Sequence, residues 1–243
     1  MLGLLLRAND VYKSFGRRSV LRGISFSVYP GTLVGIVGAN GAGKSTLLRI
    51  LVGELRPSRG EILQYGSMGY CPQNAILNDT LTVDQHLDYF RAAYNMNDLH
   101  RANELLEQLD FQQYRKALVG TLSGGTKQKL NLTLALMHQP KLLLLDEPSQ
   151  GFDWETYLCF WDLVTELSES GCTVLVITHQ FFERKRFDVL YHLQEGQLTM
   201  QDQENVATEV VVMQAQENTL AEALMMHAQE NVVVEAVRKA AQY

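Results

Sequence analysis

One short run constrains this chain more than any other feature: Gly38-Ala-Asn-Gly-Ala-Gly-Lys-Ser-Thr46. It follows an apolar segment, Leu33-Val-Gly-Ile-Val37, and leads into Lys44-Ser-Thr-Leu-Leu-Arg-Ile-Leu-Val52, whose composition suits a helix. The run fits G-x-x-x-x-G-K-[ST] between a buried strand and a helix, the setting that gives this pattern its meaning. Glycines at 38, 41 and 43 let the backbone turn successive N–H groups toward one small volume, with Asn40 and Ala42 between them. The helix that follows adds its positive end. Lys44 can reach between β- and γ-phosphates, the Ser45 hydroxyl can ligate Mg²⁺, and Thr46 can donate to the α-phosphate. The implied ligand is a nucleoside triphosphate with its magnesium.

A second feature supplies the chemistry. Lys141-Leu-Leu-Leu-Leu-Asp-Glu-Pro148 sets two acids directly after four leucines. A buried strand of an open α/β sheet delivers its last residue to the crevice where ligands bind. Asp146 is therefore expected to orient Mg²⁺, through water, and Glu147 to polarise a water for in-line attack on the γ-phosphate.

The rest of the chain frames these motifs. Residues 4–29 read as strands and turns, with turn-like clusters at Lys13-Ser-Phe-Gly16 and Arg17-Arg-Ser19. Between about residues 81 and 118 the pattern becomes helical: Leu87, Phe90 and Tyr94 recur on one face, and Leu105, Leu106 and Leu109 follow. Residues 126–138 suit a helix, 141–145 a buried strand, 154–168 a helix and 173–178 a β-branched strand. Residues 189–200 read as a hairpin turned at Glu195-Gly196. Strands alternating with helices imply a largely parallel sheet covered on both faces.

Leu122-Ser-Gly-Gly-Thr-Lys-Gln-Lys129 narrows a broad class of phosphate-loop proteins. Ser123-Gly124-Gly125 opens a helix with a hydroxyl cap and unobstructed amides, a second anion site. The run resembles the LSGGQ signature of ABC ATPases, with Thr126 where glutamine is commonest. The motifs fall in that family's order over about residues 4–200. The resemblance implies an α/β fold: a P-loop NTPase core of the ABC type, with a mixed, mainly parallel sheet, flanking helices and an N-terminal antiparallel β region. A helical subdomain is expected at about 81–138, within a nucleotide-binding domain at 1–200.

Further roles come from the same resemblance. Gln73, in Tyr70-Cys-Pro-Gln73, matches the glutamine that touches Mg²⁺ and the attacking water, and begins the segment facing the membrane partner. His179, after Ile177-Thr178, matches the histidine that senses the γ-phosphate, and Asp153, in Gly151-Phe-Asp153, matches the D-loop aspartate. Phe15 taken alone reads as a core residue; in the family's frame it is the ring that stacks on adenine. Ser123, Gly124 and Gly125 would contact the γ-phosphate of ATP held by a second subunit, so that two ATP molecules join a head-to-tail dimer, homo- or heteromeric. Such a chain hydrolyses ATP with Mg²⁺ to drive a separate transmembrane permease subunit from the cytoplasmic face of the membrane. The stretch Leu81-Thr-Val-Asp-Gln-His-Leu-Asp-Tyr-Phe90 and Asn40-Gly-Ala-Gly-Lys44 lean toward export. The alternative is a soluble ABC-type ATPase, such as one serving iron–sulfur assembly.

Composition removes other classes. The net charge of −6 gives no overall attraction to nucleic acid, so no nucleic-acid partner is expected. No apolar run is long enough to cross a bilayer, so if the protein serves a membrane, another chain is expected to supply the spans. Cys71, Cys159 and Cys172 fit neither a disulfide framework nor a zinc site and read as buried or partly buried thiols. Residues 201–243 form a tail in which Gln-Glu-Asn recurs at 203–205, 216–218 and 229–231, a period of thirteen. At about 100° per residue this period does not return to one helix face, so the repeats cannot build a single straight seam.

Overall fold

The computed structural model describes residues 3–74, 76–179 and 184–201; the thirteen-residue repeats lie outside them. In chain order the elements are β1 (Leu6–Phe15), β2 (Arg18–Val28), β3 (Leu33–Val37), α1 (Lys44–Leu51), β4 (Arg59–Gln64), β5 (Met68–Cys71), α2 (Val83–Ala93), α3 (His100–Gln108), α4 (Gly124–Leu136), β6 (Leu142–Asp146), α5 (Trp154–Glu169), β7 (Thr173–Thr178), β8 (Val189–Gln194) and β9 (Gln197–Gln201).

Strands β3, β6 and β7 are buried at every position, which is what lets them read as unbroken apolar runs. They sit inside a six-stranded sheet ordered β5-β6-β7-β3-β8-β9. All its pairings are parallel except β8–β9, the hairpin expected at Glu195-Gly196. Alternate residues face opposite cores, as the two-residue period of a strand requires. Val37, Leu143, Leu145, Val174 and Val176 pack with Leu130, Phe160, Trp161 and the apolar residues of α3. Val34, Ile36, Leu142, Leu144, Leu175 and Ile177 pack with Leu47 and Leu48 of α1 and with Leu6, Leu21 and Ile24.

Those last residues belong to a separate antiparallel sheet, β2-β1-β4, the expected N-terminal β region. It is tied to the main sheet where the Arg22 amide donates to the Gly196 carbonyl at 2.8 Å. Its first turn is tighter than the sequence suggested. Arg17-Arg-Ser19 read as turn, but Phe15 pairs with Arg18 and Ser14 with Ser19, leaving only Gly16 and Arg17 to reverse the chain. Gly16 takes φ +59°, which a glycine adopts without steric cost.

Helices α2 and α3 fall within the stretch read as helical. Thr82 and Gln85 form a reciprocal capping box at the start of α2. Arg115 joins the two helices, donating through Nε to Asp84 at 2.7 Å and through a terminal nitrogen to Asn103 at 2.8 Å. Leu87, Leu105, Leu106 and Leu109 are buried, whereas Tyr94 ends the stripe half exposed.

One cysteine expectation fails: Cys159 is exposed. The buried face of α5 is carried by Phe160, Trp161, Leu163, Val164 and Leu167, and Cys159 falls outside it. No helix among the described residues is long and apolar enough to cross a membrane.

Candidate functional site

Sheet order assembles the site. The neighbours β5, β6, β7 and β3 run parallel, so their carboxyl ends open on one edge. Gln73 follows β5, Asp146 and Glu147 end β6, His179 follows β7, and the glycine loop follows β3. They meet in a cleft of about 680 Å3 lined by Phe15, Asn40, Gly41, Gly43, Lys44, Ser45, Thr46, Gln73, Asp146, Glu147 and His179.

The loop is built for anions. Gly41 and Gly43 take φ of +82° and +110°. Gly43 caps α1 with no side-chain hydrogen bond, and no acidic residue stands in the first turn. The first amides of α1 are therefore left for an incoming phosphate. Gly38 and Ala42 do not line the cleft. A Cβ on Gly38 would strike the Leu193 carbonyl, so that glycine serves the close approach of the loop to β8.

Lys44 is only 8% exposed. Its Nζ donates to the Gly38 carbonyl at 2.7 Å and the Ala39 carbonyl at 3.3 Å, and lies 4.0 Å from Glu147 Oε1. Burial lowers its pKa, while Glu147 and Asp146 oppose that shift. Asp146 is 6% exposed. Burial, with the Glu147 charge adding to it, pushes the Asp146 carboxyl up to about 6, and Lys44 pulls the other way. A cation bound beside Asp146 would oppose that shift and hold the carboxyl ionised. Ser45, Asp146 and Gln73 offer the hard oxygen donors that suit Mg²⁺, an ion commonly held by a few protein oxygens together with substrate phosphates.

Glu147 is shaped by its turn. Its amide continues the ladder to the Ile177 carbonyl at 2.9 Å, then the residue takes φ +47°. This left-handed conformation costs a non-glycine residue on the order of 1 kcal/mol. Both carboxylate oxygens are held: His179 Nδ1 lies 2.9 Å from Oε1, and the Thr178 hydroxyl donates to Oε2 at 3.2 Å.

Phe15 is half exposed at the cleft, so its reading as a core residue is overturned. The tight turn at Gly16-Arg17 leaves its ring beyond the packed part of β1, with the Lys13 ammonium 5.1 Å from the ring centroid. Ser123, Gly124, Gly125 and Asp153 lie outside this chain's own cleft. Ser123 caps α4, accepting from the Thr126 amide at 3.1 Å, and Asp153 caps α5, accepting from Thr156 at 2.8 Å. A Cβ on Gly125 would come within 2.9 Å of the Gly151 carbonyl, so the start of α4 touches the loop that leads to Asp153.

Arg18, Val20 and Gln150 also line the cleft and were missed from the sequence. Arg18 reaches the cleft because the two-residue turn pairs it with Phe15, whereas the sequence read it as part of the turn. Gln150 lies between two expected site residues, Glu147 and Asp153, but nothing in its type marked it.

The Asp146 shift predicts a stability effect in nucleotide-free protein. The folded chain favours the protonated carboxyl, so this contribution is full below about pH 4 and is lost as pH rises through about 6. Asp146→Asn removes the ionisation. Its melting temperature in EDTA should exceed the parent's at pH 7.5, by a margin worth roughly 1–3 kcal/mol. The difference should shrink toward pH 4; a lower melting temperature at pH 7.5 would refute the assignment.

The family model described as "ABC transporter" matches residues 21–150. ABC transporter G family member 20 of Dictyostelium discoideum is 32% identical over 221 residues, covering 85% of this chain but 30% of its own. The zinc import ATP-binding protein ZnuC of Buchnera aphidicola subsp. Schizaphis graminum is 35% identical, covering 72% of this chain and 74% of its own length. The linearmycin resistance ATP-binding protein LnrL of Bacillus subtilis is 33% identical over 74% of this chain and 62% of its own. Among solved structures, an ATP binding subunit of an ABC transporter superposes with a TM-score of 0.78 at 25% identity, covering 85% of this chain and 93% of that one. With the glycine loop, the acidic strand end and the serine-capped α4 in one fold, the chain belongs to the ABC transporter family, as its ATP-binding ATPase domain.

Proposed function

We propose that this chain is the motor subunit of a membrane transporter, closing head-to-tail with a second such subunit on ATP and reopening after hydrolysis. The observation that carries this reading is the pair Asp146–Glu147 facing the glycine loop, with His179 Nδ1 2.9 Å from Glu147. In this mechanism the loop amides and Lys44 hold the phosphates, Thr46 donates to the α-phosphate, and Asn40 and Ala42 shape the loop. Ser45, Asp146 and Gln73 serve the Mg²⁺ that accompanies the nucleotide. Glu147 takes the proton of the attacking water, and a carboxylate held on both oxygens loses little freedom in doing so. His179 reports on the γ-phosphate through its contact with Glu147. Phe15 presents a free ring face to the base.

The head-to-tail dimer gives the remaining residues their role. Ser123, Gly124 and Gly125 stand at the start of a helix whose orphan amides suit a phosphate. Their own cleft lies elsewhere, so the phosphate they serve is the partner subunit's, with Asp153 at the same seam. A transmembrane permease subunit supplies the spans, and the motor sits on its cytoplasmic face. Residues 1–200 act as the nucleotide-binding domain, its helical subdomain at about 81–138, with 201–243 an appendage. Export is read from residues 40–44 and 81–90. The relatives' names point in different directions, since one is a zinc import ATP-binding protein and another a linearmycin resistance ATP-binding protein.

Pull-down of the chain from its native cells in mild detergent tests the reading. A multi-span membrane protein in stoichiometric amount is the expected companion. Only soluble partners, with the chain absent from membranes, would sink it in favour of an assembly ATPase. Ending the chain after Met200 should leave nucleotide affinity within about twofold of the parent; loss of binding would place the tail in the fold.

A further inference from the structure

Gln73 is expected to face magnesium and the attacking water, yet a carboxamide can serve a metal only through its oxygen. Its two ends are nearly the same size, so something must decide which end enters the cleft. The backbone before Gln73 is held from α4: Asn131 Nδ2 donates to the Pro72 carbonyl at 2.8 Å. The side chain is held from elsewhere. Gln73 Nε2 donates to Gln150 Oε1 at 3.0 Å, across the cleft that both residues line. The backbone of Gln150 is itself tethered, its main-chain N–H donating to the Glu147 carbonyl at 3.2 Å in the turn that leaves β6.

We propose that Gln150 is a positioning residue for the magnesium nucleotide: by accepting from Gln73 Nε2, it turns Gln73 Oε1 toward the metal side of the cleft. Without that acceptor the Gln73 side chain is released to its other rotamers, and its amide can also turn N–H groups, which repel a cation, toward the metal side. Gln150 thereby joins the segment after β5 to the turn carrying Glu147, so the metal-side donor and the base are set by one contact. This rests on the reading of Gln73 given above and extends it to a residue outside the expected set.

The test is a double-mutant cycle read by binding rather than turnover. The affinity of a non-hydrolysed ATP analogue is measured with EDTA and with excess Mg²⁺, and the ratio gives the metal-dependent gain. Gln150 is exposed, so Gln150→Leu keeps bulk without a polar end and does not threaten the fold. One neutral hydrogen bond corresponds to about three- to tenfold in affinity. Gln150→Leu should cut the gain by about that factor while the EDTA affinity stays within about twofold. In a Gln73→Ala background the same change should do nothing further, because Gln150 acts through Gln73. An equal loss in both backgrounds, or no loss in the parent while Gln73→Ala reduces the gain, would overturn the proposal alone. If Gln73→Ala leaves the gain intact, the metal-side reading of Gln73 falls and the proposal with it.

Discussion

Glu147→Gln should bind ATP as well as the parent, hydrolyse it about 10²–10⁴-fold more slowly, and accumulate as an ATP-bound dimer. The substitution keeps the shape of the side chain, and its amide oxygen can still accept from Thr178 or face His179. What disappears is the charge proposed to take a proton from water. The same charge raises the pKa of Asp146, so its loss leaves that carboxyl more readily ionised for magnesium. It also stands 4.0 Å from the Lys44 ammonium, which becomes freer to serve phosphate oxygens. Repulsion between a carboxylate and the γ-phosphate ends as well. Each change favours the loaded state, and only the chemical step is lost. Size-exclusion chromatography with ATP and magnesium, beside a phosphate-release assay, checks both parts. A variant that stays monomeric and turns over normally would remove Glu147 as the base.

Much of this site was legible because its parts are contiguous in sequence. Glycines at 41 and 43 mark a loop whose turns need left-handed backbone, Gly38 marks its close approach to β8, and four leucines before Asp146 mark a strand buried on both faces. The sheet order was not legible. In the chain, β3 precedes β5, β6 and β7, yet β7 lies beside β3 and β5 lies at an edge. That order follows from which apolar faces bury one another, a property of the whole chain rather than of any window. It alone brings Gln73, Glu147, His179 and Lys44 to one cleft. Gln150 escaped for a related reason, because its role depends on Gln73 arriving from a strand far away in sequence. Phe15 misled when read alone, since composition cannot tell a buried ring from one left at the end of a hairpin. Cys159 did so as well, because burial on α5 is decided by helical phase rather than by residue type. The left-handed Glu147 carried no sequence signal at all; glycine would suit that backbone, and an acid there bears strain in keeping with the hydrolytic role proposed for it.

Lys44→Ala should lower nucleotide affinity by about 10²–10³-fold while leaving the fold in place. An ammonium meeting phosphate oxygens in a site this buried contributes as a charge-assisted hydrogen bond, roughly 3–4 kcal/mol. In the nucleotide-free chain its protons go to the Gly38 and Ala39 carbonyls, so the side chain is already drawn along the loop, and binding exchanges those acceptors for phosphate. A second loss follows. Lys44 is the group that holds the Asp146 carboxyl down, and without it the pull of burial and Glu147 goes unopposed by that charge. Asp146 then ionises still less readily, and magnesium adds less to affinity at neutral pH. The deficit should therefore be larger with magnesium than with EDTA, and should ease as pH is raised. Lys44→Arg offers no rescue, since a planar guanidinium is too broad for a position only 8% exposed. Titration with a fluorescent ATP analogue from pH 6 to 8.5, with circular dichroism to verify the fold, measures these effects. A dissociation constant within threefold of the parent would show that the glycine-loop amides, and not Lys44, carry the phosphate.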